Sequence, residues 1–210
     1  MTKSSLDYEK KYADFNYICG IDEAGRGPLA GPVSCAAVIM PKGQYIQGVD
    51  DSKKVPEQKR EELFEIITKN AVAYNVVMID HIMIDKINIL QATKKGMEQA
   101  AKGLKILPDI ILVDAVKGLN LPCRYESIIK GDELSYNIAA ASILAKVTRD
   151  RYMREMDKIF PQYGFKSSKG YGTKSHIEAL KKWGICPIHR LSFLTHLDIN
   201  SNTEQTDIKD

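Results

Sequence analysis

The stretch Tyr17-Ile18-Cys19-Gly20-Ile21-Asp22-Glu23-Ala24-Gly25-Arg26-Gly27-Pro28-Leu29-Ala30-Gly31-Pro32 constrains this chain more than any other. Its first residues are apolar and read as a strand, and the adjacent carboxylates Asp22 and Glu23 stand at that strand's end. A glycine- and proline-rich turn with a single arginine follows, and the chain then re-enters an apolar run, Val33 to Met40. Two acids where a buried strand meets a turn carry a desolvation cost unless something binds them.

The 210 residues fit one domain with at most a small appendage, and 44% hydrophobic residues at that length bury a core without staples. The formal net charge of +3 permits a nucleic-acid partner without demanding one. Cys19, Cys35, Cys123 and Cys186 form no C-x2-C pair, and His81, His176, His189 and His196 are not at ligand spacing to them, which argues against zinc. The N-terminus is polar and carries no secretory signal, so the thiols read as reduced and the protein as cytoplasmic. No apolar run approaches the ~18 residues of a membrane helix.

Candidate strands lie at 17–22, 32–40, 71–79, 110–113 and 123–129, alternating with helical patterns at 57–69 and from 80 to about 103, the latter broken near Ile87–Ile89. The pattern is that of a mixed α/β protein. One long helix is expected at about 133–158, apolar all round in its first half and therefore buried there. Residues 161–173 read as loop and 175–183 as a short helix. The boundaries implied are an arm at 1–15, a catalytic domain at 16–198 with a helical C-terminal part, and a polar, disordered tail at 199–210.

Three acidic sites, the first a pair, share one kind of place. Asp22 and Glu23 end the first strand, Asp114 ends the short buried one, and Asp132 stands at the start of the apolar helix. If those two strands are neighbours, Asp22 and Asp114 lie side by side, and the helix brings Asp132 to the same edge. Hard oxygen ligands without His or Cys suit Mg²⁺ or Mn²⁺, ions that clamp an in-line displacement at phosphorus. Each residue also has a plainer reading: Asp132 as a helix cap, Asp114 as a loop residue, Asp22-Glu23 as a solvated turn. Gly25-Arg26-Gly27 is a tight turn or a backbone able to approach a sugar-phosphate strand. Lys53, Lys54, Lys146 and Arg149 are phosphate contacts or solvated charge, and Tyr171 stacks on a nucleotide or packs its loop.

The motifs settle between these readings by resemblance. Gly20 to Val33 resembles the opening motif of the ribonuclease HII family, and Asp51-Ser52-Lys53-Lys54 its D-S-K-K loop. Lys130-Gly131-Asp132 with Ile138 to Asp150 resembles its long-helix motif, and Gly170-Tyr171-Gly172-Thr173 its G-Y-x-T segment, all in family order from about residue 17 to 194. The resemblance implies a ribonuclease H-like mixed five-stranded sheet flanked by helices, with a small helical C-terminal extension. It implies an endonuclease that hydrolyses the RNA strand of RNA–DNA hybrids and cuts 5′ to single ribonucleotides in duplex DNA, leaving 3′-hydroxyl and 5′-phosphate ends. The family's catalytic and metal-binding acids fall on Asp22, Glu23, Asp114 and Asp132. Its 2′-OH-reading backbone falls on Gly25, Arg26 and Gly27, its sugar-stacking tyrosine on Tyr171, and Lys53 and Lys146 would meet phosphate. No membrane and no obligate protein partner are implied. Arg26 and the early start of the motif separate the chain from ribonuclease HIII, which usually carries G-K-G and an extra N-terminal domain. Ala115 and Asn137 depart from the family pattern and bear on local packing. Two other functions compete: a hybrid-binding module, which has no use for four acids, and an unrelated carboxylate-rich phosphatase.

Overall fold

The computed structural model describes residues 6–197. It divides into two compact units, one running to Arg26 and resuming at Pro32–Arg149, the other comprising Gly27–Gly31 and the chain from Asp150.

The first unit is a five-stranded sheet with helices on both faces. A short helix α1 (Asp7–Lys11) precedes β1 (Ile18–Ala24) and β2 (Val33–Ile39); α2 (Glu57–Asn70), β3 (Ala73–Ile79) and α3 (His81–Lys102) follow, then β4 (Ile110–Asp114), β5 (Tyr125–Ile128), α4 (Gly131–Leu134) and α5 (Tyr136–Ile159). The strand order is β3-β2-β1-β4-β5. β1, β2 and β3 pair antiparallel, while β4 runs parallel to β1 and β5 parallel to β4. The five expected strands therefore form one mixed sheet, with the opening stretch at its centre.

The small side chains of α5 explain how a helix lies so close to that sheet. Ala139, Ala140, Ala141, Ile143, Leu144 and Ala145 are fully buried and share one core with Ala36, Val38 and Met40 of β2 and its end. The apolar first half of the helix is buried, as its composition requires. On the opposite face Gly96 of α3 leaves room for Cys35 of β2, whose Sγ would stand 2.6 Å from a Cβ at that position. The break expected near Ile87–Ile89 falls at Asn88, which has φ 65° and whose Oδ1 accepts from Gln91 N at 3.1 Å. Asn88 thereby caps the second segment of α3.

Two expectations change. The single helix at 133–158 is two: Ser135 is extended (φ −129°, ψ 127°) between α4 and α5. Ser135 Oγ is free of the helix ladder and caps α5 by accepting from Ile138 N at 3.3 Å. Asp132 consequently lies inside α4 and not at the cap of the long helix. The segment 161–173 is not all loop, since Pro161–Tyr163 forms a 3₁₀ turn and Phe165–Ser168 the short α6.

The second unit adds α7 (Lys174–Trp183) and α8 (Leu191–Leu194) to the C-terminal turns of α5 and to α6. Its core is Met153, Tyr163, Phe165, Leu180 and Ile188 around Ala30. The tail at 199–210, expected to be disordered, lies outside the described residues. Among the described residues no helix is long and apolar enough to cross a membrane.

Candidate active site

The parallel pairing of β1 and β4 makes the site. Ile21 pairs with Val113, so the next residue on each strand, Asp22 and Asp114, emerges side by side at the carboxyl edge of the sheet. β5 then returns through Lys130, at φ 57°, into α4, which delivers Asp132. Gly131 N donates to Asp114 Oδ1 at 2.8 Å and pins the start of α4 to the end of β4. A carboxylate oxygen from each of Asp22, Asp114 and Asp132 lies within 4.8 Å of the other two.

Crowding and burial leave these acids poorly satisfied. Burial, with the charges of Glu23 and Asp114 next, holds the Asp22 carboxyl well above the usual range. Burial raises Asp114 too, against the pull of the Gly131 amide. Asp132 is pushed up to about 6, first by burial and then by Asp114 and Asp51. Glu23, on the opposite face of β1 from Asp22, is pushed up to about 6 by burial despite Arg26, whose Nη1 lies 3.5 Å from its Oε1. Glu23 Oε2 is buried and has no hydrogen-bond partner.

This donor set fits a hard divalent cation. Ligands of an octahedral ion of the Mg²⁺ kind, each at ~2.1 Å, span up to ~4.2 Å, so three oxygens within 4.8 Å need only small rotamer changes to close on one. Glu23 stands outside that group of three, and its orphaned Oε2 is a separate buried acceptor on the other face of β1. Neither His nor Cys enters the group, so softer ions gain nothing here.

One acid at the site was not singled out from the sequence. Asp51 is buried, its Oδ1 accepts from Lys53 N at 3.0 Å, and its charge acts on Asp132. Lys53 Nζ, on an exposed side chain, reaches Asp132 Oδ2 at 3.6 Å and Asp51 Oδ1 at 4.0 Å. The loop that carries them is tied down: Ser52 N donates to Ser142 Oγ of α5, and Arg60 of α2 donates to Ser52 O. The D-S-K-K motif held the signal, but its acid stands far along the sequence from the other three.

The remaining candidates separate. Gly25 needs its glycine: φ is 98°, and a Cβ there would run into the side chain of Arg149. Arg149 is neither solvated nor exposed; it is buried, and its Nε donates to Pro32 O at 2.9 Å. Lys146, one turn earlier on α5, is half-buried. Lys54 pairs with Glu133 at 2.6 Å on the surface. Of the two departures from the family pattern, Asn137 is satisfied twice, accepting from Met40 N and donating to Glu9 Oε1. Ala115 sits at φ 49°, a left-handed backbone that costs a non-glycine residue about 1 kcal/mol.

In the second unit Tyr171 lies over Gly27, where an added Cβ would stand 3.7 Å from its Cε1. The ring is partly exposed while its backbone is held: Tyr171 N donates to Ser168 O at 2.9 Å and Thr173 N donates to Tyr171 O at 2.8 Å. Beneath it His176 and His189 are buried among Tyr163 and Phe165. Burial lowers His176 below its ordinary 6.5, with the Tyr171 carbonyl acting the other way. Below that value the unfolded chain binds more protons than the folded one, so this contribution to stability is complete above about pH 6.5 and falls with pH below it. Melts followed by the fluorescence of Trp183, the one tryptophan, should show the second unit losing stability as the pH falls below about 6.5. His176→Asn should flatten that slope; an unchanged slope would remove His176 as its source.

Comparison with known proteins agrees with this architecture. A family model described as Ribonuclease HII matches residues 19–196. A ribonuclease HII from Acetivibrio thermocellus is 56% identical over 188 residues, covering 89% of this chain and 73% of that protein. The crystal structure of the ribonuclease H2 from Pyrococcus horikoshii matches with a TM-score of 0.72 at 28% identity, over 84% of this chain and 93% of that one. The ribonuclease HII of Archaeoglobus fulgidus, solved in complex with PCNA, matches with a TM-score of 0.72 at 28% identity, over 89% of this chain and 98% of that one.

Proposed function

The chain belongs to the ribonuclease HII family, and from that premise we propose that it cuts 5′ to single ribonucleotides embedded in duplex DNA as well as within the RNA strand of longer hybrids, leaving 3′-hydroxyl and 5′-phosphate ends. Membership makes it a ribonuclease H, an endoribonuclease acting on RNA–DNA substrates. The observation that carries the finer reading is the convergence of Asp22, Asp114 and Asp132 at the carboxyl edge of two parallel strands.

In this reading Asp22, Glu23, Asp114 and Asp132 would hold Mg²⁺ or Mn²⁺, which would supply Lewis-acid stabilisation of charge at phosphorus and activation of water. The rest falls to the chain. Asp114, anchored by the Gly131 amide, and Asp22, anchored by the Glu23 amide at 2.7 Å, present fixed oxygens. Lys53 stands beside Asp132 to meet phosphate, and Lys146 of α5 serves the same charge further along the strand. The backbone of Gly25, Arg26 and Gly27 reads the ribose 2′-OH, the group that tells RNA from DNA. Tyr171 stacks on the neighbouring sugar, and residues 16–198 are the catalytic domain.

Cleavage needs no protein partner in this reading, because the acids and the sugar-reading loop belong to one polypeptide; PCNA is named for the Archaeoglobus relative alone. Four free cysteines suit a reducing cytoplasm. A 5′-labelled DNA duplex with one ribonucleotide tests the reading. We expect a single product ending one nucleotide before the ribonucleotide, extendable by a polymerase, and no cutting of the all-DNA duplex. Cutting 3′ to the ribonucleotide, or of both duplexes alike, would overturn it.

A further inference from the structure

A chain of buried hydrogen bonds in the second unit ends on the backbone of Tyr171, and its direction is fixed by one amide. Cys186 N donates to His189 Nδ1 at 2.9 Å. An amide N–H only donates, so Nδ1 of His189 is bare and the ring proton sits on Nε2. The Cys186 carbonyl also lies 3.2 Å from that nitrogen, but a ring nitrogen that accepts the Cys186 N–H carries no proton to donate to it. His189 Nε2 stands 3.1 Å from His176 Nε2. With the proton on His189, His176 Nε2 accepts, and the proton of His176 is on Nδ1. That nitrogen lies 2.9 Å from Tyr171 O and donates to it. Both rings are buried, and each of the four nitrogens has a complementary partner.

The other side of the tyrosine is latched as well. Lys169 and Gly170 have φ of 50° and 80°, and a Cβ at Gly170 would stand 2.6 Å from Ala30 O. Leu29 N donates to Gly170 O at 2.8 Å. The loop that carries Tyr171 is thus fixed to the segment that carries Gly27 on one flank and to the histidine pair on the other.

We propose that His189 and His176 form a positioning relay for Tyr171, holding its carbonyl so that its ring keeps its seat against Gly27 and grips the nucleotide sugar. The relay never touches substrate. It rests on the reading of Tyr171 as a substrate contact. A histidine pair that merely filled the core would stabilise the unit without acting through one side chain, and that difference is measurable.

The test uses the full chain, a single-ribonucleotide duplex and saturating Mg²⁺. Tyr171→Ala should raise KM on the order of tenfold, as loss of one stacking contact does. His176→Leu, which removes the donor, should raise KM by a similar factor with kcat within about twofold. His176→Asn, whose amide can still donate to Tyr171 O, should recover most of that loss. The double variant His176→Leu/Tyr171→Ala should be no worse than Tyr171→Ala alone. Multiplying losses in the double variant, a His176→Leu KM within about twofold of the parent, or an Asn variant as impaired as the Leu variant would overturn the relay. An unchanged KM in Tyr171→Ala would instead remove the reading of Tyr171, and the relay with it. Should His176→Leu fail to fold, the long-range ¹H–¹⁵N spectrum of the parent protein decides. It should show His176 protonated on Nδ1 and His189 on Nε2, and the reverse tautomers would overturn the proposal.

Discussion

Asp114→Asn is expected to abolish cleavage and, in the absence of metal, to raise the melting temperature. The two effects share one cause. Three carboxylate oxygens stand within 4.8 Å of one another, a spacing at which two full charges repel by about 3.5 kcal/mol at an effective dielectric of 20. Burial has already forced part of the cluster toward the protonated state, so the relief on removing one charge is smaller, of order 1 kcal/mol. For a chain of this size that is roughly 2–4 °C. The amide keeps the local architecture, because its Oδ1 can still accept from Gly131 N, as the carboxylate does at 2.8 Å. The same substitution removes a charged oxygen from a cation site worth several kcal/mol to the transition state, so kcat should fall by at least about 10³. Loss of activity with a loss of several degrees in melting temperature would mean that Asp114 is structural. Unchanged activity would mean that the cation is held elsewhere.

Gly20→Ala is expected to cost the first unit more stability than any other one-carbon change in the central strand. Gly20 pairs with Val38 on one side and Leu112 on the other. A Cβ there would be driven into the backbone of Asn137 and Ile138 at the start of α5, closer than real contacts come. That backbone has nowhere to go. Asn137 Oδ1 accepts from Met40 N at 2.9 Å, and Glu9 Oε1 accepts from both Asn137 N and Nδ2 at 3.1 Å. Overpacking against a fixed backbone costs about 3 kcal/mol, or roughly 6–12 °C in melting temperature. Activity at low temperature should survive in whatever fraction stays folded, because no acid is touched. A melting temperature within about 2 °C of the parent would show that α5 can yield.

The two substitutions also mark what the sequence could and could not convey. The acids were legible because strand ends and charge are local features: the run Ile110 to Val113 predicts a buried strand, and its end at Asp114 follows. Their meeting depended on a parallel pairing of β1 with β4 that no periodicity encodes, and there the family motifs did the work. Ser135 breaks a helical pattern without a proline or glycine to announce it, so α4 and α5 read as one helix and Asp132 as a cap. Gly20 sits in an apolar run with nothing to show that another backbone passes over it. Asp51 and the histidine pair were quoted or counted without a role, because what makes them matter is a partner distant in sequence: Asp132 for the first, the Tyr171 carbonyl and the Cys186 amide for the second.

The central claim is that the carboxylate cluster cuts beside a ribonucleotide by holding divalent cations. The most direct measurement is Mn²⁺ binding to the protein, by calorimetry or electron paramagnetic resonance, set beside cleavage of the single-ribonucleotide duplex before and after chelation. The account predicts binding that Asp114→Asn weakens by at least about tenfold. It predicts cleavage that stops with chelator and returns with Mg²⁺ or Mn²⁺. Cleavage that persists in chelator, or Mn²⁺ binding that Asp114→Asn leaves unchanged, would contradict it.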